Sequence, residues 1–390
     1  MSDKPRLNVG MVGYAFMGRA HSQGWRTAPH FFDLPLRIGM TAVCGRDPAR
    51  TTAAAAELGW DGAETDWRAL VARDDIDLID ICTPGDSHAE IAIAALDAGK
   101  HVLCEKPLAN TVAEAEAMAA AAARAARQGV FAMVGFTNRR VPAVALARQL
   151  IADGRLGTVR QVRAAYQQDW IADPGVPLAW RLQKDKAGSG ALGDIGAHIL
   201  DLSQFLLGER VVATSGTLET FVRTRPLQAA GTGLAGATAG EGYGEVTVDD
   251  AAWFLGRFAG GALASYEATR FATGRKNALT IEVSGSDGAL FWNLEELNVL
   301  HFFDNRLPAP EAGFRRILAT EPETPYYSAW WPAGHIIGWE HGFTHQVLDL
   351  VTAIAAGRQP EASFDDGLHV QRVLDAVERS AASSGVWLDV

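Results

Sequence analysis

Strand and helix signals alternate over the first 136 residues of this chain, and that alternation constrains the fold more than any other feature. Short apolar runs typical of buried strands are separated by segments that favour helix. The predicted strands are Leu7–Gly13, Met40–Cys44, Leu78–Cys82, Lys100–Leu103 and Phe131–Phe136, and the predicted helices are Pro48–Leu58, Trp67–Ala72, His88–Ala98, Val112–Arg127 and one that begins at Arg19. Strands joined by helices predict a doubly wound parallel sheet, so this region is expected to be α/β.

From Val159 onward, predicted strands follow one another without helices between them. They are Val159–Tyr166, Ala213–Phe221, Asp250–Phe258, Ala262–Thr269, Leu279–Gly285, Ala289–Asn293 and Leu297–Phe303. Such a succession predicts a large, mostly antiparallel open sheet in an α+β domain. We therefore expect one domain at residues 1–140 and a second at 141–390, whose C-terminal helix is free to pack back on the first domain.

Two segments of the second region are not predicted as strands. A linker is expected near Asn138–Pro142, and it is followed by a helix at Ala143–Ala152. The stretch Gly231–Gly244 is rich in glycine and alanine, and we expect it to be a mobile loop without chemistry of its own.

Composition limits the classes of protein and partner. The net charge of −11 argues against binding to nucleic acid or an anionic membrane. No segment has the length and apolarity of a transmembrane helix, and the N-terminus lacks the apolar core of a signal peptide, so a cytoplasmic protein is expected. Cys44, Cys82 and Cys104 lack the spacing of a metal site, and their odd count fits reduced, buried thiols.

A glycine-rich turn follows the first predicted strand and precedes a predicted helix. The sequence from Gly13 to Gly18 fits the Gly-x-Gly-x-x-Gly fingerprint, with Ala15 at the second glycine. In a Rossmann domain this turn holds the pyrophosphate of a dinucleotide at the helix N-terminus. The residues predicted to bind the cofactor here are Gly13, Ala15, Phe16, Met17 and Gly18.

The end of the second predicted strand bears on the choice of dinucleotide. An NAD enzyme usually has an acidic residue there, which binds the adenosine ribose. Here Gly45 occupies that position and Arg46 follows, which favours NADP because arginine binds a 2′-phosphate well. The alternative is NAD, with Asp47 on the ribose and Arg46 stacked on adenine.

Polar residues also follow other predicted strands, where ligands of α/β sheets bind. Glu105 and Lys106 come directly before Pro107; taken alone, such a pair is more often a surface salt bridge.

Asp194 and His198 are four residues apart, so they share one face if Asp194 opens a helix. Taken alone, that pair is more often an acidic residue at a helix start followed by a histidine whose ring is hydrogen-bonded within the fold.

Together these motifs resemble the Gfo/Idh/MocA family of oxidoreductases, which includes sugar and inositol dehydrogenases. The resemblance rests on Gly13–Gly18, Thr83-Pro84 with His88, Glu105-Lys106-Pro107 and Gly193–His198, and it covers essentially the whole chain. It implies an NAD(P)-dependent enzyme that oxidises a secondary alcohol of a sugar, anhydrosugar, inositol or glycoside. It also implies a second-domain sheet with helices on one face, and a homodimer or homotetramer formed through the other.

The resemblance further implies roles for individual residues. His198 would be the base, Lys106 would stabilise charge on the substrate oxygen, and Asp194 would orient a hydroxyl; whether Lys106 or His198 takes the proton stays open. Glu105 would hold the cofactor ribose or position the lysine, and the further cofactor contacts would be Lys106, Thr83, Pro84 and His88. The expected substrate-binding residues are Gln168, Trp170, Arg181, Asp194, His198 and Trp331.

One departure from the family pattern weakens any transfer of substrate identity. Relatives often carry Asn-Tyr before the linker arginine, whereas this chain has Thr137-Asn138-Arg139 and so lacks that hydroxyl. Two other functions remain as alternatives, namely an NAD-dependent glycosidase that oxidises its substrate transiently and a non-catalytic nucleotide-binding sensor. Retention of Lys106, Asp194 and His198 argues against the sensor.

Overall fold

The described part of the chain divides into two units in the computed structural model, which covers residues 4–228 and 239–390. The first unit comprises the chain up to Thr137 together with Trp339–Gln371, and the second comprises Asn138–Gly338 together with Arg372–Val390. The segment Trp339–Gln371, which the sequence analysis assigned to a second domain, thus belongs to the first unit.

The first unit is built on a six-stranded parallel sheet with the order β3-β2-β1-β4-β5-β6. Its strands are β1 (Arg6–Val12), β2 (Arg37–Cys44), β3 (Gly62–Glu64), β4 (Leu78–Ile81), β5 (His101–Cys104) and β6 (Ala132–Val134). Strands β2 and β3 are added on one side of β1, and β4, β5 and β6 on the other, so the order of strands switches between β1 and β4. Ligands of open α/β sheets bind at the carboxyl ends of strands beside such a switch point.

The second unit contains a nine-stranded sheet with the order β16-β15-β14-β13-β7-β12-β11-β8-β17. Its pairs are antiparallel except β7 with β12, and β9 pairs with β10 in a separate ribbon. The strands are β7 (Val159–Gln167), β8 (Val211–Glu219), β9 (Thr224–Gln228), β10 (Ala239–Glu245), β11 (Ala251–Phe258), β12 (Leu263–Thr269), β13 (Ala278–Gly285), β14 (Gly288–Asn293), β15 (Val299–Asp304), β16 (Arg315–Leu318) and β17 (Leu388–Asp389).

Two helices begin at recognisable capping residues. Asp47 caps one helix before Pro48, and Thr111 forms a capping box with Glu114 at another. The helices are α1 (Phe16–Phe31), α2 (Pro48–Leu58), α3 (Trp67–Val71), α4 (His88–Asp97), α5 (Val112–Ala126), α6 (Pro142–Ala152), α7 (Lys184–Ala187), α8 (Ala197–Leu207), α9 (His341–Ala355) and α10 (Phe364–Ala382). None of the helices in the described ranges could span a bilayer.

Packing follows the apolar faces of these elements. In the first unit α1 packs against α9, and α4 packs against α5; in the second, α8 lies on β7 and β13. Side chains on β11 alternate, so that Phe254 and Phe258 are buried whereas Trp253 and Leu255 are exposed. One side of this part of the sheet therefore faces the core and the other side is open.

The predicted fold class is confirmed, and the differences are local. Helix α1 begins at Phe16, three residues before the predicted start at Arg19. Asp194 does not open a helix, because it lies inside a π-helical turn, Leu192–Gly196, that leads into α8. The predicted loop Gly231–Gly244 is wrong for its last part, which belongs to β10; residues 231–238 lie outside the described chain.

Candidate functional site

The turn after β1 has the shape that a dinucleotide pyrophosphate needs. Gly13 has φ +96°, and a Cβ there would lie 2.9 Å from the carbonyl oxygen of Cys82. A Cβ on Gly18 would lie 2.2 Å from the carbonyl oxygen of Gly13. Both positions therefore require glycine, one for the tight turn and one for close packing of α1 on that turn. These are the roles of the outer glycines in a dinucleotide fingerprint.

The N-terminus of α1 is suited to an anion. Ala15 is the N-cap residue, and neither a capping side chain nor an acidic residue satisfies the first turn in the described structure. Ala15 and Phe16 are exposed, Met17 is half-buried and Gly18 is buried. The ring of Phe16 stacks on Trp339, with centroids 5.6 Å apart and planes 5° from parallel. The backbone amides of this turn therefore fit a pyrophosphate.

After β2, the side chain of Arg46 is exposed and that of Asp47 caps the next helix. The side chain of Asp47 accepts a hydrogen bond from the backbone N–H of Arg50 (3.0 Å), so this carboxylate caps α2. The ring of Tyr14 covers Gly45, where a Cβ would lie 2.1 Å from Tyr14 Cε1. An acidic residue at position 45 would require Tyr14 to move.

The turn after β4 contains three predicted cofactor residues, and the structure gives them different surroundings. Thr83 is half-buried and Pro84 is exposed, whereas His88 is buried. The His88 Nε2 atom lies 2.9 Å from the carbonyl oxygen of Thr83, and Nδ1 lies 3.1 Å from that of Pro107. His88 therefore ties the turn after β4 to the segment that carries Lys106.

Glu105 and Lys106 directly follow β5, as the sequence analysis expected. Lys106 is half-buried, whereas Glu105 is buried and its Oε1 atom lies 2.9 Å from Nε2 of His21. The backbone N–H of Lys106 lies 3.4 Å from Oε2 of Glu105. The glutamate thus points into the first unit, and the lysine is the more accessible member of the pair.

In the second unit, Asp194 and His198 lie on one segment that Asp249 anchors. The Asp249 carboxylate accepts hydrogen bonds from the backbone of Gly190 (2.7 Å) and Leu192 (2.8 Å). A Cβ on Gly190 would lie 1.7 Å from the carbonyl oxygen of Asp249, so this contact requires glycine. Burial raises the pKa of Asp249, while Arg270 and the two backbone donors oppose that shift.

The surroundings of Asp194 and His198 combine charge with aromatic rings. Asp194 Oδ2 lies 3.7 Å from Nη1 of the fully buried Arg270. The ring of His198 lies 5.7 Å from that of Tyr166, and its Nδ1 atom lies 3.4 Å from Nδ2 of Asn138. Burial raises the pKa of Tyr166, and the nearby Asp194 charge adds to that shift. Both Asp194 and His198 are half-buried, so a small polar ligand can reach them.

Three of the predicted substrate residues belong to the same cluster of contacts. The Gln168 amide donates to Asn277 Oδ1 (2.7 Å) and accepts from the indole N–H of Trp170 (3.0 Å). Arg270 lies 5.6 Å from the Trp170 ring centroid and 3.5 Å from the carbonyl oxygen of Arg181. Burial lowers the pKa of Arg181, although Asp194 opposes the shift. Trp331 is exposed.

Sequence reasoning missed several residues that organise these sites. Arg270, directly after β12, and Asn138, at the predicted linker, contact the predicted catalytic residues of the second unit. In the first unit, His21 contacts both Asp80 and Glu105. Only His21 carried a usable signal, because a polar residue on the buried face of a helix needs a partner.

Comparison with known proteins agrees with this architecture. Residues 7–136 match the model described as "Oxidoreductase family, NAD-binding Rossmann fold", and residues 144–291 match "GFO/IDH/MocA C-terminal domain". The chain is similar to levoglucosan dehydrogenase from Pseudarthrobacter phenanthrenivorans, at 42% identity over 98% of each chain.

Solved structures show the same similarity. An oxidoreductase domain protein from Kribbella flavida is 64% identical, with a TM-score of 0.94 and 99% of each chain covered. A levoglucosan dehydrogenase complex with NADH and levoglucosan is 40% identical, with a TM-score of 0.92 and again 99% of each chain covered.

Proposed function

Because this chain belongs to the GFO/IDH/MocA family of oxidoreductases, we propose that it is an NAD(P)-dependent dehydrogenase of a sugar, with an anhydrosugar such as levoglucosan as the first candidate. The observation that carries this proposal is the half-buried pair Asp194 and His198, set among aromatic rings and amide groups. Such a mixture suits a small polyol, which offers several hydroxyls and apolar C–H faces. Levoglucosan dehydrogenase, similar over 98% of its length, supports the same substrate class.

The proposed roles follow from the chemistry of each side chain. An oxidised dinucleotide held at the Gly13–Gly18 turn would supply the acceptor for a hydride from the carbinol carbon. His198 takes the hydroxyl proton, because imidazole accepts protons near neutral pH. Lys106 donates a hydrogen bond to the same oxygen and stabilises its developing negative charge. Asp194 accepts a hydrogen bond from a neighbouring hydroxyl and so orients the sugar.

Two observations bear on which dinucleotide is preferred. The exposed Arg46 after Gly45 supports NADP. The NADH bound to levoglucosan dehydrogenase supports NAD. The proposed preference for NADP therefore rests on Arg46, and a binding experiment on that residue decides it.

The exposed side of the large sheet supports the proposed homo-oligomer. Trp253, Leu255 and Leu263 each expose more than a third of their surface on β11 and β12. Neighbouring β8 adds the exposed Val212. An exposed group of apolar side chains of this kind is typical of a protein interface.

A panel of sugars assayed with NAD⁺ and NADP⁺ tests the proposed function. We expect reduced nicotinamide to form with levoglucosan or a related sugar, and His198→Asn to suppress it at neutral pH. His301→Asn is the matched control, because the His301 ring packs against Phe291 on β14 and β15, away from these contacts. Release of phenol from an aryl glycoside without net reduction would instead indicate the glycosidase, and dinucleotide binding without any turnover would indicate the sensor.

A further inference from the structure

A buried histidine of the first unit lies between two carboxylates. His21 Nδ1 lies 2.9 Å from Oδ1 and 3.0 Å from Oδ2 of Asp80, and Nε2 lies 2.9 Å from Oε1 of Glu105. The three residues come from α1, from β4 and from the end of β5, and all are buried. This His21 cluster therefore connects the helix of the dinucleotide turn with two strand ends.

With both carboxylates ionised, the hydrogen-bond pattern requires a protonated ring. A neutral imidazole has one N–H donor, yet both nitrogens of His21 face carboxylate oxygens, which only accept when ionised. Trp25 also donates to Asp80 Oδ2 (2.7 Å), and the Cys82 thiol lies 3.6 Å from Oδ1. The ring of Phe343 on α9 packs against the His21 ring, with the two centroids 5.3 Å apart. Although burial, the largest single cause, disfavours the charged ring, Asp80 and Cys82 together outweigh it, and the pKa of His21 lies well above its ordinary value.

The same contacts argue against a metal ion at this place. His21, Asp80 and Cys82 have the chemistry of ligands, and their donor atoms lie close together. However, Nδ1 and the Asp80 oxygens are already at hydrogen-bond distance from each other. The His21 cluster is thus explained as a hydrogen-bonded ion cluster.

The contacts of the Glu105 carboxylate hold it inside the first unit. Its Oε1 atom accepts from His21, and its Oε2 atom lies 3.4 Å from the backbone N–H of Lys106. A Cβ on Gly135 would lie 2.5 Å from Oε1, so the carboxylate also fills the space beside that glycine. Of the two roles that the sequence left open for Glu105, these contacts favour positioning the lysine.

We infer that His21 is a positioning residue, which holds Glu105 inward and thereby fixes the peptide that carries Lys106. His88 contacts the carbonyl oxygens of Pro107 and Leu108 and so holds the other side of that peptide. A lysine that must reach a substrate oxygen gains from such support, because a misplacement of about 1 Å costs about 100-fold in rate. The inference rests on the proposed function only in taking Lys106 as the group that contacts substrate.

The protonation state of His21 is measurable in the unmodified protein. We expect ¹⁵N NMR of histidine-labelled protein to show both ring nitrogens of His21 protonated at pH 8. Spectra of His21→Gln, or of Glu105→Gln if the first variant does not fold, assign the signals. A neutral His21 ring at pH 8 would overturn the inference.

Two substitutions and their combination test the positioning role. We expect His21→Gln and Glu105→Gln each to lower kcat about 10- to 100-fold. The dinucleotide Kd and the sugar KM should change less than about threefold, because the inferred role places neither side chain in contact with these ligands. The double variant should be about as impaired as either single variant, because both act through one contact. A double variant whose loss is the product of the single losses contradicts the inference.

Control and independent measurements separate this inference from the proposed function. His101→Gln is the control, because His101 lies at the amino end of β5, where its Nδ1 accepts from the backbone N–H of Phe131. This variant should leave kcat unchanged. The acetylation rate of Lys106, followed by peptide mass spectrometry without any substrate, should change in His21→Gln but not in His101→Gln. An unchanged rate contradicts the positioning role even if no sugar is turned over. A weakened dinucleotide Kd with unchanged kcat in Glu105→Gln would assign the carboxylate to the ribose and also overturn it.

Discussion

Nδ2 of Asn138 lies 3.4 Å from Nδ1 of His198, so the side chain at the predicted linker contacts the ring that we propose as the base. Asn138 is buried and His198 is half-buried. In this chain the asparagine amide is the group that faces the His198 ring. The contact gives a direct way to change the protonation of His198 without removing it.

Asn138→Asp should move the acidic limb of kcat/KM for sugar oxidation to higher pH by about one unit or more, because an adjacent carboxylate favours the imidazolium. The measurement is a pH profile of kcat/KM with saturating dinucleotide. Asn305→Asp adds the same charge at an exposed turn after β15 and should leave the limb in place. An unmoved limb in Asn138→Asp would assign the base elsewhere, with Lys106 as the next candidate.

Lys106→Ala should lower kcat about 100- to 1000-fold, the usual cost of removing one donor to a developing oxyanion. Dinucleotide Kd, followed by protein fluorescence, should change little. Lys100→Ala is the matched control, since Lys100 Nζ donates to the carbonyl oxygens of Arg73 (2.9 Å) and Ile76 (2.7 Å) just before β5. Lys100→Ala should lower the free energy of unfolding and leave kcat unchanged. More than about a tenth of the normal kcat in Lys106→Ala would show a structural lysine.

Arg46→Ala should weaken NADP⁺ binding about 10- to 100-fold, the usual cost of losing a charged hydrogen-bond donor to a phosphate, and should leave NAD⁺ binding nearly unchanged. Kd values for both dinucleotides provide the measurement. Arg50→Ala removes a nearby exposed arginine, whose Nε lies 3.7 Å from Asp47, and serves as the control. Equal losses for both dinucleotides would mean that Arg46 stacks on adenine. Tighter binding of NAD⁺ than NADP⁺ by the unmodified protein would contradict the preference for NADP.

The free energy of unfolding should fall as the pH rises above about 6.5, in part because of His21. Burial opposes the charged ring, but Asp80 raises the pKa of His21 well above 6.5 in the folded state. Its stabilising contribution is therefore complete below the unfolded pKa and is lost as the pH rises through the folded pKa, by at most about 1.4 kcal/mol per pH unit. Urea unfolding between pH 6 and 9 should show a shallower slope for His21→Gln. His30→Gln, at an exposed position of α1, is the control, and equal slopes in His21→Gln and the unmodified protein would contradict the prediction.

Leu255→Lys should reduce the oligomeric state if the open side of the sheet is an interface, because the substitution places a charge among exposed apolar side chains. Light scattering after size-exclusion chromatography measures the mass. Arg257→Lys, two residues along the same side of β11, is the control and should leave the mass unchanged. An unmodified protein that runs as a monomer would contradict the proposed homo-oligomer.

Local patterns were sufficient for the architecture and for most element positions. The run Pro48–Leu58 was predicted to the residue because an aspartate cap, a proline and a final glycine mark both ends. The start of helix α1 was predicted three residues too late, since an exposed Phe16 in a glycine-rich turn is not typical of a helix start. The ribbon β9–β10 was missed because glycine and proline interrupt its strands.

The site could be predicted only where a motif lies within a few residues. Lys106 and His198 were found in this way, and their roles stay predictions. The His21 contacts with Asp80 and Glu105 join residues 59 and 84 positions apart, and no local pattern reports such a pairing. The π-helical turn at Asp194 was also missed, because its geometry depends on the Asp249 carboxylate, which lies far along the chain.

The core of the first unit is completed by a helix, α9, that comes late in the sequence. Helix α9 packs on α1 and its Phe343 covers His21, yet α9 is translated only after nearly all of the second unit. A ribosome therefore releases the glycine-rich turn and its helix long before their final covering exists. We expect the first unit to complete its core late in synthesis, and residues up to Thr137 expressed alone to expose the apolar side of α1 and to aggregate.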